Sequence, residues 1–164
     1  MRARYCLVLL SLIVLVSQPT WAENQDSTGE IVKRAVLKAW DSYLAAFSAG
    51  RTDIVANRVY AAPSYQMGNS GVNLRMTTDD VKASFDEIHS QLEREQYDRS
   101  ETDAVVVCVL NGSTALLSAH FTRYRTDDAP LMTGASSYLF GKLDGDWQII
   151  AIIANPSRKL ITCE

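Results

Sequence analysis

Residues 104–154 read AVVVCVLNGSTALLSAHFTRYRTDDAPLMTGASSYLFGKLDGDWQIIAIIA, and this stretch decides the fold class. It divides into four blocks whose pattern has a period of two, Ala104–Leu110, Ser113–Arg125, Thr133–Leu143 and Asp146–Ala154. A period of two is that of a strand, whose successive side chains point to opposite faces. Asn111-Gly112 parts the first two blocks and Asp144-Gly145 the last two. Both dipeptides suit two-residue hairpin turns, whose central positions need positive φ. Asp127-Asp128-Ala129-Pro130, a cluster of turn formers, parts the middle pair. Strands joined by such turns pair antiparallel, so the stretch predicts a four-stranded meander.

Upstream the period is helical. Val32, Ala35, Val36, Ala39, Trp40, Tyr43, Leu44 and Phe47 recur at spacings of three and four, and Gly50 follows as a terminator. Ser27 and Glu30 have capping-box spacing, which predicts a helix over about residues 29–49. A short helical segment is expected over Asp53–Arg58, then a small hairpin in which Ser64–Met67 leads into the turn cluster Gly68-Asn69-Ser70-Gly71. Thr77 and Thr78 cap a second long helix, Thr78–Gln96, with Asp79 and Asp80 in its first turn and a stripe of Val81, Phe85, Ile88 and Leu92. Helices first and strands afterwards mean α+β, in a single domain over residues 30–164.

The N-terminus reads differently. Arg2 and Arg4 precede an apolar run from Cys6 to Val16, and Thr20-Trp21-Ala22 supplies a cleavage site, so residues 1–22 are expected to be a signal peptide and 23–29 a polar leader. The run falls well short of the ~20 residues that span a bilayer, which predicts an exported protein, periplasmic or secreted, with no permanent membrane anchor. Cleavage removes two arginines and no acids, leaving 16 − 2 = 14 bases against 19 acids and a net charge of −5. Such a surface repels polyanions and excludes nucleic acid as the expected partner. With 47% hydrophobic and 21% charged residues, the chain is neither fibrous nor disordered.

Two cysteines remain after cleavage, Cys108 and Cys163. The tail from Pro156 to Cys163 reaches about 25 Å when extended, so a bond is sterically allowed in an oxidising compartment. The apolar neighbours Val106, Val107, Val109 and Leu110 favour the alternative, a buried free thiol at Cys108. No CxxC, HExxH, GxGxxG, Walker or GxSxG sequence occurs, and the two histidines stand 31 residues apart, so neither a metal nor a cofactor is expected.

The run Trp40-Asp41-Ser42-Tyr43-Leu44-Ala45-Ala46-Phe47-Ser48-Ala49-Gly50-Arg51-Thr52-Asp53 resembles the first helix and glycine exit of the NTF2-like superfamily. Ser137-Tyr138-Leu139-Phe140, with Asp144-Gly145-Asp146-Trp147-Gln148-Ile149, is similar to its closing hairpin. SnoaL-like cyclases and ketosteroid isomerase share that fold, which is also called cystatin-like. The resemblance implies a cone with helices packed on the concave face of a curved antiparallel sheet, a pocket at one end, and often a homodimer through the outer sheet face. Members often have aspartate after the glycine, where this chain has Arg51 and delays the acid to Asp53. The fold implies no reaction, because the same cone hosts isomerases, dehydratases, cyclases and non-catalytic subunits.

Candidate site residues come from the alternation. Thr114, Leu116, Ser118, His120, Thr122 and Tyr124 share one face of their strand, and Gly134, Ser136, Tyr138, Phe140 and Lys142 share one face of the next. If those faces line the pocket, Tyr124 and Tyr138, with Tyr43 from the first helix, bind the ligand, and His120 is the candidate catalytic base, since its reference pKa lies near working pH. The opposite set, Ala115, Leu117, Ala119 and Phe121, is a credible helix-facing face and would turn His120 outward, to the surface or an interface, where a polar alternating face more often lies. Arg123 and Arg125 read as a solvated or edge-protecting pair. His89 reads as half-exposed, Tyr60 and Tyr65 as pocket rim, and Trp40 and Trp147 as packing. Asp103 is the acid nearest an inner position. Three functions stay open: a pocket for a small apolar or aromatic ligand, a cofactor-independent acid–base enzyme of isomerase, dehydratase or cyclase type, and a non-catalytic dimeric interaction module.

Overall fold

The structure, a computed structural model, describes residues 21–155 and 159–163, with side chains from Thr28 onward. Most of the expected signal peptide, residues 1–20, lies outside the described residues.

Helix α1 spans Trp21–Ser48. It begins before the predicted start: the backbone runs straight through Ser27–Glu30, so the expected polar leader is helical, and Gly29 meets nothing that would stop it. The stripe Val32, Val36, Trp40, Tyr43 and Phe47 is buried along its inner side. At the exit Gly50 takes φ +65, and the Arg51 amide reaches back to the Ala46 carbonyl at 2.9 Å, closing the helix end. A single turn, α2 (Thr52–Ile54), continues into one turn of π-helix over Val55–Val59. Strands β1 (Tyr60–Gly68) and β2 (Gly71–Arg75) form the small hairpin. Helix α3 spans Thr78–Arg94 and starts on a reciprocal cap: the Asp80 amide donates to Thr77 Oγ1 at 3.1 Å, and the Thr77 amide to the Asp80 carboxylate at 2.9 Å.

Strands β3 (Tyr97–Asn111), β4 (Thr114–Arg125), β5 (Pro130–Leu143) and β6 (Asp146–Ala154) form the antiparallel meander. The sheet order is β2-β1-β6-β5-β4-β3. β1 lies parallel to β6, so the curved sheet is mixed at that one joint rather than antiparallel throughout. A four-stranded meander leaves the far edge of β6 unpaired, and β1 satisfies it. β3 starts seven residues before the predicted Ala104, because the polar run Asp98–Asp103 sits on an edge strand, where charge replaces the apolar alternation.

The inner face of the sheet carries Ala115, Leu117 and Ala119 from β4, Tyr138 and Phe140 from β5 and Ile149 from β6, all in one core with α1 and α3. The outer face is crossed by the C-terminal tail. The Ile161 amide donates to Ser118 Oγ at 2.9 Å, Asn155 Nδ2 donates to the same oxygen at 3.2 Å, and Ser137 Oγ donates to Asn155 Oδ1 at 3.0 Å. Both serines are buried by these contacts.

Cys163, at the end of that tail, is bonded to Cys108, with Cα atoms 5.5 Å apart. The reading that favoured two free thiols is corrected here. The apolar neighbours Val107 and Val109 do pack on the core, but alternation turns Cys108 to the outer face, where the tail passes. Unreduced protein, unfolded in denaturant, is expected to show no reactive thiol at Cys108 or Cys163. Cys163→Ser should lower the unfolding free energy by about 2–4 kcal/mol in denaturant titrations, the usual effect of opening such a loop.

Candidate functional site

Aromatic side chains build the inside of the cone. Tyr43 of α1 stands with its ring centroid 6.0 Å from Tyr138, 5.8 Å from Tyr60 and 5.8 Å from Phe47, and Trp40 lies 4.8 Å from Tyr138. These separations suit edge-to-face and tilted packing. Trp40 Nε1 donates to Thr102 Oγ1 at 3.0 Å, which fixes its indole against the sheet. Between this cluster, α3 and strands β4–β6 lies a cavity of about 360 Å³, walled by Tyr43, Phe47, Phe121, Tyr138 and Ile152 and by Ile88 and Leu92 from above. Gln66, Arg123 and Ser136 give it polar points, and Glu95 stands at its mouth.

The phenols are neutral in this setting. Burial raises the Tyr43 hydroxyl above its ordinary value and pushes Tyr60 and Tyr138 well above theirs. A raised phenol is a hydrogen-bond donor at any physiological pH and a poor base.

Two guanidinium groups pack on these aromatic rings, Arg75 buried and Arg123 half-buried. Arg123 packs against the ring faces of Phe47 at 5.1 Å and Phe121 at 5.5 Å, donates only to the Met132 sulfur at 3.6 Å, and keeps a buried Nε with no partner. Gly134, opposite Phe121 in the register, leaves that ring its space: a Cβ there would come within 2.9 Å of Phe121 Cζ. Arg75, at the end of β2, is 5% exposed and lies over Tyr60 and Phe85, each at 5.3 Å. Its Nη2 donates to Gln66 Oε1 at 3.0 Å, while Nε and Nη1 have no partner. Arg123 therefore faces inward rather than serving as a solvated edge residue. The signal was in the alternation, which groups it with Ala115, Leu117, Ala119 and Phe121. Arg75, in a short strand after a turn, carries no comparable signal.

Of the predicted site residues, the structure brings Tyr43 and Tyr138 together and separates them from His120 and Tyr124. The register pairs Leu117 with Tyr138 and His120 with Ala135, so His120 and Tyr124 lie on the outer face and line none of the cavities. His120 Nδ1 is 2.7 Å from Asp103 Oδ2, and Thr122 Oγ1 donates to the same oxygen at 2.8 Å. That places Asp103 at an exposed edge and not on the cavity wall. Tyr124 lies under the Arg99 guanidinium at 4.7 Å. Tyr60, expected at the rim, is buried in the core and lines none of the cavities, whereas Tyr65 is exposed. His89 is half-buried, with Nε2 3.1 Å from the Phe47 carbonyl oxygen, and so helps to close the end of α1. A larger groove of about 630 Å³ runs between α1, the π-turn and the β5–β6 hairpin, but Lys38, Asn57 and Arg58 line it as exposed side chains.

A family profile described as NTF2-like protein (DUF6841) matches residues 34–157. The chain belongs to this NTF2-like family. Solved structures agree on the fold. An NTF2-like protein with a cystatin-like fold from Novosphingobium aromaticivorans is 12% identical, with 84% of this chain and 89% of that one covered at a TM-score of 0.63. An NTF-2 like protein of unknown function from Shewanella oneidensis is 17% identical, over 74% and 97%, at 0.59. A putative calcium/calmodulin dependent protein kinase II association domain from Xanthomonas campestris is 19% identical, over 76% and 88%, at 0.58. Among curated proteins none matches the chain. These likenesses establish the NTF2-like cone and leave the chemistry to its lining. Among the described residues no three His, Cys, Asp or Glu side chains are grouped to hold a metal, and no helix is long and apolar enough to cross a membrane.

The raised phenols couple the site to alkaline stability. The folded state holds their protons more tightly than the unfolded chain, whose tyrosines titrate near pH ~10. Their contribution is thus full below about pH 10 and is lost as pH rises toward the folded values. Phenolate absorbance of the buried tyrosines should appear together with loss of the far-ultraviolet dichroism, in one cooperative step. Titration of Tyr43, Tyr60 and Tyr138 before any unfolding would contradict this.

Proposed function

We propose that this protein is an exported NTF2-like binding module that holds a small apolar or aromatic molecule inside the cone. The observation that carries the reading is the cavity of about 360 Å³ in which the Tyr43 and Tyr138 rings stand 6.0 Å apart as neutral donors, beside apolar side chains and a few polar ones. Its size lies within the range of small-molecule sites, and its pattern of apolar lining with a few polar points is the usual one. The acid–base alternative rested on His120 as the proton acceptor. With that residue on the other face, the cavity interior offers phenols and a guanidinium, which donate protons or hydrogen bonds at neutral pH. Its one carboxylate, Glu95, is exposed to solvent, whereas burial is what tunes a carboxylate base toward neutral pH.

The same reading includes a homodimer. Leu116, Leu139 and Ile153 leave half-buried apolar surface on the outer face, beside the Ser118–Ile161 contact of the tail, and a second copy would cover it. Sedimentation at micromolar concentration tests this part alone.

Trp40 is a built-in reporter, 4.8 Å from Tyr138. Titration with naphthalene derivatives should quench its emission saturably. Tyr43→Ala or Tyr138→Ala should weaken binding by about ten-fold or more, and His120→Ala should leave it within a factor of two. Equal losses in all three variants, or no saturable binding, would remove the reading. Export is checked separately. Expression of the full chain in a bacterium should give a product shortened by the first 22 residues and located outside the cytoplasm.

A further inference from the structure

Two arginines at the surface are held by acids. Arg99 contacts Asp98, Glu101 and Asp128, and Arg51 contacts Asp53. Inside the cone neither Arg75, which is buried, nor Arg123, which is half-buried, has a carboxylate within ion-pair distance among the described residues. Burying a charge without a counter-charge is strongly unfavourable. Stacking on aromatic faces offsets part of that, but it engages only the face of the guanidinium and leaves the N–H groups in its plane unused.

Those unused groups are specific. Arg123 keeps a buried Nε without a partner, and its Nη1 has only a thioether sulfur, a weak acceptor. Arg75, one side chain behind the cavity wall, keeps both Nε and Nη1 unpartnered. Its bond to Gln66 occupies the oxygen of that amide, so the Gln66 Nε2 donor remains for whatever enters the cavity that Gln66 lines. Both guanidiniums act on one point: each pulls the Tyr43 hydroxyl downward against the effect of burial. Glu95 stands exposed at the mouth and pairs its carboxylate with neither. Two like charges converging on a phenol-lined cavity form an electrostatic demand that an anion meets.

We propose that Arg123, backed by Arg75, forms an anion subsite inside the cone, and that the ligand is therefore an organic carboxylate on an aromatic or apolar body. Arg123 receives the carboxylate through its in-plane N–H groups, Gln66 and the Tyr43 and Tyr138 hydroxyls donate to its remaining lone pairs, and the body lies among Phe47, Phe121 and Ile152. Arg75 is a positioning residue: it orients the Gln66 amide and adds positive potential without touching the ligand. This inference rests on the cavity reading above and narrows it to a ligand class.

The test compares two isosteric probes on the full chain, 2-naphthoate and the neutral 2-naphthamide, by calorimetry and by Trp40 quenching. The acid should bind at least about ten-fold more tightly than the amide, with the preference shrinking as salt is raised. Arg123→Met should abolish most of the preference while leaving 2-naphthamide affinity within about a factor of two. Arg75→Met should reduce the preference in the same direction, with no loss of melting temperature, because it removes an uncompensated buried charge. Equal binding of acid and amide by the wild-type chain overturns the anion subsite while the cavity reading stands. Equal weakening of both probes in Arg123→Met also overturns it, as packing alone would do that. Binding of neither probe removes both the cavity reading and the subsite.

Discussion

Everything in the structure depends on the register between β4 and β5, in which Leu117 faces Tyr138 and Ala119 faces Ser136. Ala115, Leu117 and Ala119 are fully buried beneath the helices. Small alternating residues there let α1 approach closely enough for Trp40 and Tyr43 to reach Tyr138. A shift by one residue would exchange the two faces of β4 completely. It would bring Ser118, His120 and Thr122 under the helices and expel Leu117, losing several kcal/mol of apolar burial and stranding polar groups. That penalty is why the register holds, and it also decides which side chains can take part in any chemistry.

The same register explains how much was legible in advance. The four strands, their tight turns and both long helices follow from period and capping chemistry, because each signal is local: Thr77 with Asp80, Gly50 after Phe47, Asp144 with Gly145. The two faces of β4 were visible as two sets, but choosing between them needed knowledge of what lay across the sheet. Both sets mix polar and apolar residues. Arg123 and the tail decide the matter, since an arginine can lie under helices when aromatic rings cover its faces, and serines can lie on an outer face when a tail buries them. Neither compensation is local in sequence. Phe47 lies 76 residues before Arg123, and Ile161 lies 43 residues after Ser118. The parallel joint of β1 with β6 was hidden for a similar reason, as no turn links the two strands.

Cores that bury arginine and tyrosine give up stability that apolar residues of similar volume would supply. In this chain the exception is confined to one place. The buried hydroxyls of Tyr60 and Ser64 have no hydrogen-bond partner, nor do two nitrogens of Arg75 and one of Arg123, whereas the far end of the core, around Val36, Val55, Phe140 and Ile149, is apolar throughout. Unsatisfied groups scattered at random would signal poor packing. Here they fall on neighbouring side chains, Arg75 lying over the Tyr60 ring and bonding Gln66, which lines the same cavity as Arg123, and it is this grouping that supports the proposed subsite.

The outer face bears on the same site, because β4 and β5 are shared by both. Ser118 and Ser137, opposite one another in the register, carry the contacts of Ile161 and Asn155 on one side of the sheet, while Ser136 and Tyr138, on either side of Ser137, line the cavity on the other. A strand pair held by bonds from the tail, and by a disulfide that ties that tail to β3, resists the twisting that would change the distance from Tyr138 to Tyr43. Preorganisation of that kind favours binding, since a wall already fixed loses little entropy when a ligand enters. The tail thus acts on the cavity through the thickness of a single sheet, without touching a side chain that lines it.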